Sequence, residues 1–296
     1  MHFTLAMRFK ATVASEKGPR EEQQDSAQIF EQGGSLLALV CDGAGGHRGG
    51  SDASKVAVET ARGVFEETNG FFDDPKKILE QICVEADQRI RNLGETPKFS
   101  PKSTIVMLYI NGKTAHWVHM GDSRLYRVRA GRIQERTRDH SMVQILFDQG
   151  EVSEDEMGNH PDQGRLLRAL GSGEDLKVSH GVFSILDGDA FLLCSDGFWE
   201  RIKSHEIEEF FKLKPTTENL KSMVLEAVRR NGPQGDNTTA LFVVVGASSR
   251  KWLFGIIFLL CAFLTGALAG CVICHWMGYV IDFRKILSLL WGSFRL

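Results

Sequence analysis

Three times along this chain an apolar run ends in an aspartate: Val40-Cys41-Asp42-Gly43, Met120-Gly121-Asp122-Ser123 and Cys194-Ser195-Asp196-Gly197. A fourth, Asp236, precedes Asn237-Thr238-Thr239 at the start of another β-prone run. Carboxylates that surface at strand ends of an antiparallel core can converge on one edge, where unpaired they would repel and raise one another's pKa. Hard divalent cations, magnesium or manganese, offset that repulsion, taking oxygen ligands and keeping several waters. The stretch 39–50, LVCDGAGGHRGG, delivers Asp42 into a loop of glycines whose backbone can approach a metal or phosphate closely. Taken alone, it is equally a tight turn with a solvated aspartate, because Gly and Asp are default turn residues. Each repetition of the apolar context weakens that alternative.

The elements that must position these carboxylates are legible from periodicity. Strands are expected over 3–15 and 27–41, with 35–41 (SLLALVC) apolar enough to be covered on both faces. Helices follow over 51–67, with Ala53, Val56, Ala57, Thr60 and Val64 on one face, and over 75–93, with Ile78, Ile82, Ala86 and Ile90 at fourth-residue spacing. Pro75 sits as a first-turn proline behind Asp74. From 103 to 136 the pattern is β, with turns at Asn111-Gly112 and Ala130-Gly131, and reads as one antiparallel meander. A polar, acidic stretch over 149–163 is expected as a surface excursion, then β structure over 176–195, helices over 204–212 and 217–230, and a last strand over 238–245. Strands broken by two pairs of helices predict an α+β fold of layered helices and antiparallel sheets.

With 296 residues, 43% hydrophobic and 25% charged, the chain can build one large domain or two small ones. Beyond residue 249, five basic side chains (Arg250, Lys251, Arg284, Lys285, Arg295) face one acid, Asp282, so this tail is +4. The whole chain being −3, the preceding 249 residues are −7, which excludes a basic face for nucleic acid and suits a metal site. Cys41, Cys83, Cys194, Cys261, Cys271 and Cys274 lack disulfide-framework spacing and read as small apolar residues of a reducing compartment. Arg8 and Lys10 fall inside what would be the apolar core of a signal peptide, so no secretory signal is expected.

In order, the segments REEQQDS (20–26), VCDGAGGHRGGSDAS (40–54), STIV (103–106), GDSRLY (121–126), TRDHS (137–141), RALG (168–171), SDG (195–197) and DNTT (236–239), with His160-Pro161, make the chain resemble the metal-dependent protein serine/threonine phosphatases of type 2C (PPM), in their compact bacterial form. The match covers roughly residues 8–246. The resemblance implies an α-β-β-α sandwich of two antiparallel sheets flanked by helices. It further implies that Asp42 bridges two metal ions, that the Gly43 carbonyl contacts one of them, and that Asp196 and Asp236 complete the first metal site. Asp122 matches the acidic ligand of a third, weaker ion, Asp25 an acidic residue that acts through bound water, and Arg20 the arginine that receives the substrate phosphate. The cofactor is thus Mg²⁺ or Mn²⁺, two ions and a third weaker one.

The physical reasons hold without the family. A hydroxide bridging two cations supplies an in-line nucleophile at neutral pH, so no serine or cysteine nucleophile is required. A guanidinium offers a bidentate fork to the non-reacting phosphate oxygens. Two departures stand out. Gln23 replaces the asparagine of the usual R-x-x-N-x-D segment, and Ala44 stands where other members carry histidine or methionine, so no side-chain acid is available there. His47 either faces substrate or fixes the loop, or is simply packed. Asp139 is expected to cap a helix beginning near Ser141, and 149–164 corresponds to a variable flap that tunes substrate choice.

Residues 252–274 are uncharged and dense in Leu, Ile, Phe, Ala and Gly, the length of a transmembrane helix. The organisation expected is a phosphatase domain over 1–247, a linker over 248–251, a transmembrane helix over 252–274 and a juxtamembrane or re-entrant tail over 275–296. The function expected is a membrane-anchored phosphatase of the inner membrane, its catalytic domain cytoplasmic, hydrolysing phosphoserine and phosphothreonine on proteins such as a serine/threonine kinase or its substrates. The alternative is a catalytically silent phosphoprotein-binding scaffold.

Overall fold

Two antiparallel sheets lie face to face in the computed structural model, which describes residues 8–44, 47–94, 99–173 and 176–246. The linker 248–251, the apolar stretch 252–274 and the tail 275–296 lie outside the described residues. Among the described residues no helix is long and apolar enough to cross a membrane.

The first sheet joins β1 (Arg8–Glu16), β7 (Arg124–Arg129), β8 (Arg132–Arg136), β10 (Ala190–Cys194) and β11 (Thr238–Gly246), in the order β1-β11-β10-β7-β8. The second joins β2 (Asp25–Gln32), β3 (Ser35–Ala44), β5 (Ile105–Asn111), β6 (Thr114–Met120) and β9 (Ser179–Ser184) in that order, with the short β4 (Lys102–Ser103) beside the end of β3. Helices α1 (His47–Glu67) and α2 (Pro75–Arg91) pack on the outer face of the second sheet. The outer face of the first carries α3 (Met142–Asp148), α4 (Glu154–Met157), α5 (Asp196–Trp199), α6 (Ser204–Lys212) and α7 (Thr217–Asn231). The four layers are those expected of an α-β-β-α sandwich.

β3 shows why its sequence runs apolar without alternation. Leu37, Leu39 and Cys41 enter the core under α1 and α2, while Leu36, Ala38 and Val40 enter the core between the sheets, and all six are fully buried. Two equally apolar faces cannot specify register by themselves. The turn at Gly33-Gly34 does so: both residues are left-handed (φ +62° and +86°), and the turn divides the expected 27–41 run into β2 and β3. The resulting register sets Asp25 directly opposite Asp42. β11 repeats the device, with Ala240 and Phe242 under the outer helices and Leu241, Val243 and Val245 between the sheets.

The expected meander is divided. β5 and β6 pair across Asn111-Gly112 in the second sheet, but β7 and β8 belong to the first. The chain crosses at Gly121, where φ is +105° and an added Cβ would lie 2.6 Å from the Thr104 methyl. A glycine there is what lets the strand leave one sheet for the other, and it leaves Asp122 at the crossing. Asp74 caps α2 as expected, accepting from the Lys77 backbone N–H. Asp139 does not cap α3. That cap is Ser141, which accepts from the Gln144 N–H, while Asp139 turns inward to a buried arginine.

Candidate active site

The strand ends place the carboxylates. Asp42 is near the end of β3, Asp196 follows β10 and opens α5, Asp236 precedes β11, and Asp122 lies at the crossing between sheets. All four line one cleft of about 500 Å³, together with Arg20, Gly43 and Ala44. Asp25 is buried on β2 opposite Asp42, its Oδ2 accepting from the Ser195 hydroxyl at 2.8 Å. His47 opens α1, and its side chain lies outside what is described.

Backbone and hydroxyl contacts lock this arrangement. The Asp42 N–H donates to Thr104 Oγ1 at 2.9 Å and the Thr104 N–H returns a bond to the Asp42 carbonyl at 2.8 Å. A Cβ on Gly43 would lie 2.0 Å from the Gly50 carbonyl oxygen, so only glycine permits the start of α1 to pass over the loop. Asn237 gathers the loop that carries Arg20: its side-chain amide donates to the carbonyls of Lys17 (2.8 Å) and Glu22 (3.0 Å), and its Oδ1 accepts from the Gln24 N–H (2.7 Å). Gln23 performs a bridging role despite its extra carbon. Its Oε1 accepts from the Asp25 N–H at 3.0 Å and its Nε2 reaches Ser15 Oγ at 2.9 Å.

Arg20 is half exposed at the cleft, its Nη2 2.9 Å from Asp236 Oδ2 and its Nε donating to the Gly235 carbonyl at 3.1 Å. The guanidinium therefore stands beside one of the carboxylates proposed from sequence, at the site's solvent side.

The electrostatics are those of crowded acids. Burial raises the Asp42 carboxyl well above the usual carboxylate range, and Asp196, Asp25, Asp122 and Asp236 raise it further. Burial likewise raises Asp122 and Asp196, helped by neighbouring aspartates. Asp25 is pushed to about 7 by burial, against hydrogen bonds from Thr239 and Ser195 that lower it. Asp196 Oδ1 and Asp25 Oδ1 are buried with no hydrogen-bond partner among the described residues.

That donor set fits hard divalent cations. It is all oxygen, mutually repelling, buried at Asp25 and Asp122 and half-buried at Asp42, Asp196 and Asp236, and it leaves orphaned lone pairs on Asp25 and Asp196. Among the described residues no three His, Cys, Asp or Glu side chains are yet drawn onto one point; the carboxylates share the cleft with space between them.

Four contributors escaped the sequence reading. Glu200, on the turn after α5, is raised to about 9 by burial and by Asp196; its place in SDGFWE carries no spacing signal. Glu22, inside REEQQDS, lines the cleft with Oε2 buried and unpartnered. Gln163 of the flap donates to Asp196 Oδ2 at 3.2 Å. The fourth is a buried node: Arg124 makes a bidentate pair with Asp139 (2.7–3.1 Å), stacks 3.4 Å from the Trp199 ring centroid, and meets Tyr126 and Met157. Trp199 in turn donates its indole N–H to the Asp122 carbonyl at 2.9 Å. His140, beside Asp139, has a structural role. Its Nδ1 accepts from the Gly121 N–H, its ring packs 4.4 Å from His119, and burial lowers the two imidazoles to about 3 and about 4.

A crowded cluster of acids beside an arginine, at strand ends of a β-sandwich clad in helices, fits a metal-dependent hydrolase of phosphate esters. The protein phosphatase 2C family model matches residues 18–231. The serine/threonine phosphatase stp of Listeria monocytogenes is 30% identical over 229 residues, covering 76% of this chain and 90% of that one. A solved catalytic domain of the phosphatase PstP, in complex with two manganese ions, is similar with a TM-score of 0.71 at 25% identity, over 81% of this chain and 100% of that one. PppA of Pseudomonas aeruginosa, described as a key regulatory component of the T6SS, gives 0.66 at 29% identity, over 80% and 97%. This chain belongs to the protein phosphatase 2C family and is a serine/threonine protein phosphatase, with the family's dependence on magnesium or manganese.

Proposed function

We propose that the chain is a membrane-anchored phosphatase that removes phosphate from phosphoserine and phosphothreonine of cytoplasmic proteins, a serine/threonine kinase or its substrates among them. The observation that carries the catalytic part is the convergence of Asp42, Asp122, Asp196 and Asp236 on one cleft beside Arg20. Asp42, Asp196, Asp236 and the Gly43 carbonyl would hold two ions, Asp122 a third, and Asp25 would act through water. When bound, such ions lower the pKa of water so that a nucleophile exists at neutral pH, and they neutralise charge at phosphorus.

The chain's own residues supply the rest. Arg20 releases Asp236 and presents its fork to the non-reacting phosphate oxygens. Asn237, just before β11, and Gln23, through Ser15 of β1 and the Asp25 N–H of β2, hold the Arg20 loop so that the fork is already oriented. Ala44 has no proton to give, so the leaving serine or threonine oxygen takes its proton from water in the cleft. Gln163 brings the flap to Asp196, which makes that loop the wall a substrate protein would meet.

The membrane part rests on the uncharged stretch 252–274 behind Arg250 and Lys251, with the domain boundary near 247 and the catalytic body on the cytoplasmic side. The full chain in neutral detergent, given a phosphothreonine peptide, should release phosphate with Mn²⁺ and not with chelator. A folded sample that releases none under either condition would sink the enzyme and leave a phosphoprotein-binding scaffold.

A further inference from the structure

At the end of the first sheet remote from the carboxylates, a second cavity of about 570 Å³ has an apolar lining from Val128, Phe211 and Val244 and carries Lys10, Lys212 and Lys214. β11 connects the two places: Asp236 lies just before its start at Thr238, Val244 lies near its end, and the eight residue steps between them at about 3.3 Å each separate them by roughly 26 Å. All three lysines are exposed. Lys10 Nζ is held in place, donating to the Pro215 carbonyl at 2.6 Å. Of the nearby carboxylates, Asp189 is engaged by Arg129 at 2.7 Å, and Glu208 by Arg132 at 3.1 Å, with Lys212 more loosely at 3.6 Å. Between Lys212 and Lys214, Leu213 is 68% exposed, and Lys214 takes a left-handed φ of +62° that turns the chain there. A local excess of cation is contrary to a body whose net charge is −7.

The same sheet end is where the chain departs. Arg8 pairs with Gly246, the last described residue, and Lys10 with Val244. In sequence, Arg250 and Lys251 follow within five residues, and the uncharged stretch begins at Trp252. Three ammonium groups around an apolar-walled cavity, beside an exposed leucine, match a ligand that joins a phosphate anion to a hydrocarbon stem. We propose that this cavity binds the phosphate headgroup of an anionic phospholipid, with Leu213 entering the bilayer interface. The site rests on the anchoring proposed above.

The test uses the full chain in neutral detergent micelles, titrated with phosphatidylglycerol or phosphatidylcholine and read by native mass spectrometry. Wild type should retain phosphatidylglycerol selectively. Lys10→Gln/Lys212→Gln/Lys214→Gln should bind it roughly 100-fold more weakly, as expected for three lysines near an anionic surface. A second variant, Lys212→Gln/Lys214→Gln, leaves the Lys10 bond to Pro215 intact and should lose most of the same selectivity. Both variants should keep wild-type Mn²⁺-dependent turnover, and the Lys212→Gln/Lys214→Gln variant should keep the wild-type melting temperature. Equal phosphatidylglycerol binding by wild type and both variants overturns the proposal, as does displacement of the lipid by an equal concentration of inorganic phosphate, which would make this a free-phosphate site. Retention of the chain in membranes after an alkaline carbonate wash reports the anchor separately. A chain that washes off yet binds phosphatidylglycerol through its lysines refutes the anchor and supports the headgroup site.

Discussion

Replacing Asp139 by alanine distinguishes two physical roles by magnitude. Were Asp139 a helix cap, as its position before Ser141 suggests, its loss would cost about 1 kcal/mol. In the structure its carboxylate is fully buried against Arg124, itself 2% exposed, with three contacts of 2.7–3.1 Å. Burial alone would lower the Arg124 pKa, yet Asp139 and Tyr126 hold it above its ordinary value. Removing the carboxylate leaves a guanidinium buried among Trp199, Tyr126 and Met157, with Glu154 as the nearest remaining acid at 3.9 Å. Breaking a buried pair this way costs about 3–5 kcal/mol. For a domain of this size, with about 2–4 °C per kcal/mol, the melting temperature should fall by roughly 6–20 °C. The assay is thermal unfolding by circular dichroism of wild type, Asp139→Ala, Arg124→Met and the double variant. The double variant should recover much of the loss, because no unpaired charge remains inside. A fall under about 4 °C for Asp139→Ala would return Asp139 to a capping role and refute the reasoning. Because Trp199 links Arg124 to the Asp122 carbonyl, Mn²⁺ affinity should weaken in Asp139→Ala but not in a variant of the Ser141 cap.

Other consequences follow from the crowded carboxylates. Asp42→Ala should abolish phosphate release while raising the melting temperature of the chelator-treated protein, since it removes one of several buried, repelling acids; near-normal turnover would refute its ligand role. The metal-free protein should lose stability as pH rises. Asp25 titrates near 3.8 when unfolded and about 7 when folded, so between those values the folded state binds the extra proton and each rise in pH favours unfolding. Saturating Mn²⁺ should remove that slope, because binding expels those protons; a melting temperature that climbs with pH in chelator would contradict the assignment. Arg20→Lys keeps the charge but loses the fork, so it should raise KM for a phosphothreonine peptide more than Mn²⁺ affinity changes, as a titration of both would reveal. Unchanged KM would remove Arg20 from phosphate binding.

What could be read from the sequence was whatever repeats locally. Apolar strands ending in Asp42, Asp122 and Asp196, the Asn111-Gly112 hairpin and the Asp74-Pro75 helix start each depend on neighbours a few residues away, and periodicity and turn chemistry expose them. Motif order then joined the aspartates to Arg20 and Asp25. The roles of Asp139, Glu200, Gln163 and Asn237 were decided by contacts between distant residues: Asn237 with the 17–24 loop, Gln163 with Asp196 across the flap, Arg124 with Trp199. Their types, Asp before a helix, Glu after a turn, an amide in a polar loop, are also those of ordinary surface residues, so local pattern carries no signal for them. The division of the meander between two sheets is of the same kind. Local sequence shows that Gly121 ends a strand, but which sheet receives the next one depends on where β10 and β11 already stand. The sequence by itself determined which carboxylates leave the core at strand ends, because burial and turn formation are local; tertiary structure alone decided which other side chains meet them and raise, pair or orient them, because those energies depend on distance in space.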